Sequence, residues 1–284
     1  MRLTGNARLA GIMGWPVGHS RSPALHGFWL DEHGIDGAYV PLAVRPERLE
    51  RALRALPALG FRGCNLTIPH KQAALAIVDR VEPVARRIGA INTIVVGEDG
   101  SLEGCNTDAY GFREHLSESA PEWDPRGGAA VVLGAGGAAR AVVAALQETG
   151  LRDIRLFNRT RERAESLAAD LADGAAGIAV GDWNSRAAAL RDAGLVVNTT
   201  SLGMHGQPPL DLDLDGLPPR AVVVDIVYVP LETPLLAAAR RRGHTAVDGL
   251  GMLLHQGRPG FEAWFGAPAR VTPALRAAIL DTLR

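Results

Sequence analysis

Val131-Val132-Leu133-Gly134-Ala135-Gly136-Gly137-Ala138-Ala139-Arg140 decides how this chain is read. Three apolar β-formers run into a G-x-G-x-x-A loop, and the loop opens a helical run from Ala141 to Leu146. That order suits a dinucleotide. Gly134 permits the tight turn, Gly136 lets the backbone approach a pyrophosphate, and small Ala139 lets helix and strand pack closely. The helix N-terminus then offers free N–H groups and a partial positive charge to the phosphates. A second strand, Ile154-Arg155-Leu156-Phe157, ends at Asn158-Arg159-Thr160-Arg161-Glu162-Arg163. An NAD site carries an acid about 20 residues beyond the glycines, for the ribose 2′-hydroxyl. Asn158 stands there instead, followed by arginines in alternate positions. A 2′-phosphate needs cationic, fork-shaped donors and is repelled by a carboxylate. The cofactor reading is therefore NADP(H) over NAD(H), although the same arginines would also solvate the start of a helix.

Working outward, the residues from Gly134 onward alternate apolar strands with helical stretches. Strands are predicted at 131–133, 154–157, 178–180, 195–198, 222–227 and 245–247, with helices at 138–149, 161–172, 186–193 and 233–242. The alternation implies a parallel sheet with crossover helices. A whole domain precedes the glycine loop in this chain of 284 residues. It also alternates: strand 9–13, helix 23–33, strand 38–44, helix 46–56, strand 62–67, helix 70–79, then strands near 91–96 and 101–105. This is a second α/β sheet without its own phosphate loop. The tail from Gly251 to Arg284 reads as mostly helical and is expected to return to the first domain. The fold class is α/β with two domains.

Composition narrows the function. With 30 basic and 31 acidic residues the formal charge is −1, which argues against nucleic acid or an anionic membrane as partner. No apolar run approaches the roughly 18 residues that a membrane span needs, and Arg2, Asn6 and Arg8 interrupt any signal-peptide core. Two cysteines, Cys64 and Cys105, make no disulfide framework, so a reducing cytoplasm is expected. His19, His26 and His33 fall seven apart, but Pro23 breaks any shared helix before His26, and no metal site is read.

Polar residues of the first half gather at strand ends, where sites on open α/β sheets form. Ser20 and Ser22, in Gly14-Trp15-Pro16-Val17-Gly18-His19-Ser20-Arg21-Ser22-Pro23, stand just before a predicted helix. They read either as N-caps or as two hydroxyls facing a polyhydroxylated ligand. In Gly63-Cys64-Asn65-Leu66-Thr67-Ile68-Pro69-His70-Lys71, strand alternation puts Cys64, Leu66 and Ile68 toward the core and Asn65 and Thr67 toward a cleft, with Lys71 beginning a helix. Gly104-Cys105-Asn106-Thr107-Asp108 repeats the pattern, so that Cys105 is expected buried and Asn106 and Asp108 on the opposite face. Asn92 begins a strand between them. Both cysteines read as small buried hydrophobes. A Lys beside an Asp suits alcohol–ketone redox chemistry: the hydride goes to a nicotinamide, and the hydroxyl proton needs a base. A plain structural ion pair is the alternative.

At this point the chain resembles the shikimate dehydrogenase family. The motifs H-S-x-S-P (His19 to Pro23), N-L-T-x-P-x-K (Asn65 to Lys71), A-x-N-T (Ala90 to Thr93) and N-T-D-x-x-G (Asn106 to Gly111) carry the resemblance in the first half. In the second half G-A-G-G-A (Gly134 to Ala138), N-R-T-x-x-R (Asn158 to Arg163), N-x-T-S-x-G-M (Asn198 to Met204) and D-G-x-x-M-L-x-x-Q (Asp248 to Gln256) follow in family order. The resemblance implies NADP-dependent, reversible reduction of 3-dehydroshikimate to shikimate, with Lys71 as acid/base and Asp108 as its partner at the reacting hydroxyl. Ser20, Ser22, Asn65, Thr67, Asn92, Tyr228 and Gln256 would join them in holding substrate. Gly134, Ala135, Gly136, Gly137, Ala138, Asn158, Arg159, Thr160, Arg163 and Thr200 would hold NADP, with Ile226 and Gly249 near the nicotinamide. It further implies a substrate-binding α/β domain of residues 1–108 plus 254–284 and a Rossmann-like NADP-binding domain of residues 109–253. A homodimer is compatible with it. Trp15, His70 and Pro83 depart from the family pattern. A quinate-using relative, a ligand-binding sensor without turnover and a glutamyl-tRNA reductase-like enzyme are the competing readings. Asn158, the presence of both Lys71 and Asp108, and the short, nearly neutral chain argue against them in turn.

Overall fold

Val131, Val132 and Leu133 have no solvent exposure, which a strand reaches only when both faces of its sheet are covered. In the computed structural model, which describes residues 3–172 and 176–283, this segment lies at the middle of one of two six-stranded sheets. The elements of the first stretch are β1 (Arg8–Gly14), α1 (Ser22–Glu32), β2 (Gly37–Ala43), α2 (Leu49–Ala55), β3 (Phe61–Leu66), β4 (Arg80–Val81), α3 (Pro83–Ile88), β5 (Thr93–Val96) and β6 (Leu102–Cys105). There follow α4 (Asp108–Ser119), β7 (Ala129–Leu133), α5 (Gly137–Glu148), β8 (Asp153–Phe157), α6 (Arg161–Asp170), β9 (Gly177–Gly181) and β10 (Ala193–Asn198). The last elements are β11 (Val222–Asp225), α7 (Pro234–Arg241), β12 (Thr245–Val247), α8 (Leu250–Phe265) and α9 (Pro273–Asp281). They form two compact units, Met1–Thr107 with Leu254–Arg284, and Asp108–Leu253.

In the first unit the strand order is β2-β1-β3-β5-β6-β4. β1 runs parallel to β2 and β3, and β5 is antiparallel to both β3 and β6. One face of this sheet packs on Leu49, Leu53, Cys64, Leu66, Ile91 and Ile94. In the second unit the order is β12-β11-β10-β7-β8-β9, and every pairing is parallel. The chain leaves β7 toward β8 on one side and reaches β10 on the other. Their C-terminal ends therefore form the switch point where open α/β sheets bind ligands. No helix among the described residues is long and apolar enough to cross a membrane.

Several local expectations fail for identifiable reasons. Residues 70–79 hold only a 3₁₀ turn, Ala73–Ala76; the Lys71 carbonyl accepts Ile91 N–H (2.8 Å) from the neighbouring segment, so Lys71 sits in a turn and starts no helix. Residues 186–193 form no α-helix but lie among two 3₁₀ turns, Trp183–Ser185 and Ala188–Leu190. The Asp182 carboxylate takes Asn184 N–H (2.8 Å) and fixes the first of these turns. The 46–56 helix begins as a 3₁₀ turn at Pro46–Arg48. Two helices, α3 and α4, went unread. In α4 only Ala109, Phe112 and Leu116 supply the apolar stripe, and Gly111 weakens the helical pattern. The strand predicted over 222–227 stops at Asp225.

Candidate active site

The polar residues singled out in the first unit lie at the ends of β1, β3 and β5. Ser22 is the first residue of α1 and is buried, with Ser20 just outside it. Neither hydroxyl is an N-cap, because Arg21 occupies that position without a side-chain bond. The Ser20 hydroxyl instead accepts Ser22 N–H (3.2 Å), which leaves the Ser20 proton free to donate. Asn65 does not face open space. Its amide oxygen accepts the Tyr39 hydroxyl (2.6 Å), and its Nδ2 donates to the Asn92 carbonyl (3.1 Å) and to Thr93 Oγ1 (3.0 Å). Asn92 in turn accepts Thr107 N–H (2.8 Å) and donates to Thr107 Oγ1 (3.0 Å). Ser22 is a further hydrogen-bond neighbour of the Tyr39 phenol, whose pKa burial drives up. A buried polar chain from Ser22 through Tyr39, Asn65 and Asn92 to Thr107 thus underlies this face. Buried polar groups are tolerated only when so paired, and paired they hold one geometry. Tyr39 and Thr107 were not assigned from the sequence; a Tyr in an otherwise aliphatic strand was the available signal.

Three face assignments change. Ile68, expected in the core, is 74% exposed, because β3 ends at Leu66 and Pro69 follows. Cys105 is only half-buried and Asn106 is buried, its amide donating to the Ala90 carbonyl (2.9 Å). The alternation in β6 therefore runs opposite to the reading, with Leu102, Gly104 and Asn106 inward. Burial and the nearby Glu82 and Glu103 carboxylates push the Cys105 thiol up to about 12. Burial raises Cys64 as well, so neither is a nucleophile at neutral pH. Lys71 is half-buried beside the Ile91–Asn92 segment. Gln256 is half-buried on α8. His26 stacks on Tyr39 (ring centroids 4.0 Å apart) within an aromatic cluster with Trp29, Phe261 and Trp264. Burial lowers its pKa to about 3, so it packs as a neutral ring.

In the second unit the glycine loop has the geometry a dinucleotide needs. Gly134 has φ +111°, and a Cβ there would lie 2.5 Å from Thr199 Oγ1, so only glycine fits the turn. Gly136 and Gly137 have open space where a side chain would stand. Gly136 is the N-cap of α5 and offers no capping side chain, which leaves the first N–H groups of that helix for an anion. Ala135 and Ala138 are half-buried beside them, and Ala139 is fully buried. At the end of β8, Asn158 Nδ2 donates to the Thr160 carbonyl (2.7 Å) and shapes the loop. Arg161 is engaged with Glu165 (2.7 Å). Arg159 and Arg163 are exposed and have no acidic partner among the described residues. Asp108, the first residue of α4, is half-buried in this unit.

The end of β10 meets the end of β11 through a buried carboxylate that the sequence reading missed. Asp225 has no exposure. It accepts Asn198 Nδ2 (3.0 Å), Val227 N–H (3.1 Å) and the Thr233 hydroxyl (2.7 Å). Asn198 Oδ1 also accepts the Thr200 N–H (3.0 Å) and hydroxyl (2.7 Å). One Asp–Asn pair therefore fixes the Thr200 loop and the Ile226–Tyr228 segment together, and Ile226 and Tyr228 stay half-buried at its rim. Gly249 closes against that segment; a Cβ there would overlap the Ile226 and Val227 carbonyls. No cation pairs with Asp225 among the described residues, and burial raises its pKa to about 6. Because the folded-state pKa lies above the unfolded one, this group's contribution is greatest below about pH 4. It falls away as pH rises through 6, by about 2–3 kcal/mol. Urea unfolding of wild type and Asp225→Asn between pH 4 and 7 should show a stability difference that changes with pH by that amount. A pH-independent difference would disprove the titration.

Three stretches of the chain match known families. Residues 12–94 match the shikimate dehydrogenase substrate binding domain, 119–203 the shikimate/quinate 5-dehydrogenase family and 249–279 the shikimate 5′-dehydrogenase C-terminal domain. A shikimate dehydrogenase (NADP(+)) of Paramagnetospirillum magneticum is 62% identical over 98% of this chain and 100% of its own length. The chain belongs to the shikimate dehydrogenase family. Its fold superposes on the Thermus thermophilus shikimate 5-dehydrogenase in complex with NADP(H) and shikimate, with TM-score 0.83, 38% identity and coverage of 96% and 99% of the two chains. It also superposes on the quinate dehydrogenase of Corynebacterium glutamicum in complex with NAD, with TM-score 0.90, 32% identity and coverage of 97% and 99%.

Proposed function

We propose that this chain is an NADP-dependent shikimate dehydrogenase that reduces 3-dehydroshikimate reversibly to shikimate. The observation that carries the cofactor half is the second-strand end: no acid, Asn158 shaping the loop, and Arg159 and Arg163 left without acidic partners among the described residues. The uncapped α5 N-terminus and the open space at Gly136 and Gly137 fit the pyrophosphate. Bound NADPH would supply the hydride. The chain's own part is to hold the ring and manage one proton. Lys71 gives that proton to the developing alkoxide in reduction and takes it back in oxidation, and Asp108 is read as its partner at the same hydroxyl. Ser20, Ser22, Thr67, Asn92, Tyr228 and Gln256 are read as the groups that hold the ring hydroxyls and carboxylate. Asn65, its amide already taken up by Tyr39, Asn92 and Thr93, supports them from below. Ala135, Ala138, Thr160, Thr200, Ile226 and Gly249 complete the cofactor side. The reading includes a reducing cytoplasmic setting and admits a homodimer.

Removing one charged contact to the 2′-phosphate costs about 1.5–3 kcal/mol, or roughly 10- to 100-fold in affinity. Arg159→Ala should raise the KM for NADP by that factor and leave the KM for NAD nearly unchanged. Equal losses for both cofactors would sink the assignment. The structural likeness to a quinate dehydrogenase bound to NAD makes quinate with NAD the second reading. Steady-state rates with both acids and both cofactors decide between them, and the expected preference is shikimate with NADP.

A further inference from the structure

Trp15, and His70 through its bond to Val44, belong to one place in the first unit that the proposed reaction does not use. His70 is buried and its Nε2 donates to the Val44 carbonyl (2.8 Å), anchoring the chain just after β2. Trp15, Val44 and Arg45, with Arg48, Arg51 and Ala52 of the following turn and helix, line an open groove of about 470 Å³. Arg48, Arg51, Ala52 and Ala55 recur at i, i+3, i+4 and i+7, so one face of this segment lines the groove. Trp15 is 41% exposed, and the Arg45 guanidinium lies 4.9 Å from its ring centroid. No acidic residue lines the groove. Among the described residues, none of the three guanidiniums has an acidic partner; Glu47 and Glu50 fall outside the lining face.

We propose that this groove binds a nucleoside polyphosphate, with the base against Trp15 and the alanine floor and the phosphates held by Arg48 and Arg51. Forked cations without acidic partners select a polyanion over a monocarboxylate, because Arg48 and Arg51 can each take a pair of phosphate oxygens. The apolar floor and exposed indole supply a stacking surface that bare phosphate cannot use. The volume exceeds what one small ring fills. The site is separate from the glycine loop, which belongs to the other unit.

The test titrates ADP into the full chain and reads the part of the tryptophan fluorescence change that Trp15→Phe abolishes. Binding tighter than about 1 mM at low salt is expected, weakening as salt rises. Arg48→Ala/Arg51→Ala should weaken it at least about tenfold. Arg159→Ala, on the cofactor side, should leave this signal unchanged, so failure of the groove and failure of the cofactor assignment are separately visible. Adenosine and pyrophosphate should each bind at least about tenfold less tightly than ADP. All of these variants change exposed side chains, so circular dichroism should report normal folding. No Trp15-dependent signal up to about 5 mM ADP, the same affinity in the double arginine variant, or tighter binding of an aromatic carboxylate such as 4-hydroxybenzoate would overturn the proposal.

Discussion

Lys71→Ala is expected to lower kcat by about 10²–10⁴-fold, the usual share of general acid–base catalysis, while the substrate KM moves far less. The split follows from where the interaction is made. A proton transferred in the rate-limiting step is felt mainly in the transition state, whereas Ser20, Ser22, Asn92 and Gln256, in their proposed roles, would still hold the ground-state ring. Truncation should not unfold the loop. Its anchor is the Lys71 carbonyl, which accepts Ile91 N–H whatever the side chain, and the side chain itself is only half-buried. Ser22→Ala should do the reverse in part, raising KM more than it lowers kcat. Asp108→Asn should impair both if, as proposed, it serves the hydroxyl together with Lys71. A Lys71→Ala enzyme with near-normal kcat and a large KM would reduce Lys71 to a binding group.

Gly249→Ala is expected to lower kcat/KM with NADPH by about 10²-fold and the unfolding free energy by about 1–3 kcal/mol. Gly249 does not have positive φ, so backbone conformation alone would admit alanine. The obstacle is contact: the new Cβ would overlap the Ile226 and Val227 carbonyls. Those are backbone atoms held in place through Asp225, so they cannot swing aside as a flexible side chain would. The segment must shift, and under the proposed placement of Ile226 near the nicotinamide a displacement near 1 Å is enough for a loss of about 10²-fold. Gly136→Ala is the control for stability, because nothing lies within 4 Å of its Cβ position. Wild-type melting temperature and NADPH kinetics in Gly249→Ala would show that the Ile226 segment yields freely and that the predicted coupling is absent.

Much of this protein was legible in its sequence because the decisive signals are local. The strand–glycine–helix order around residues 131–146 depends on short-range sterics: a turn that needs positive φ, a helix start without a side chain, a fully buried strand. The missing acid at Asn158 is likewise readable, since electrostatic preference at a strand end is a property of the residues there. The faces of the strands were less secure. Alternation gave Cys64 and Leu66 correctly. It failed at Ile68, where the strand had already ended, and at Cys105 and Asn106, where period two held but in the opposite phase.

The sequence by itself determined the α/β class, the parallel pairing within the second sheet and the residue types available for cofactor and proton chemistry. These follow from periodicity, turn residues and charge within a few positions along the chain. Only the tertiary structure decided which polar groups are spent on one another. Tyr39 fills the Asn65 oxygen across 26 positions, and Thr233 and Asn198 converge on Asp225. Hydrogen-bond capacity is fixed by which distant segments the packing brings within about 3 Å, and no local pattern encodes that.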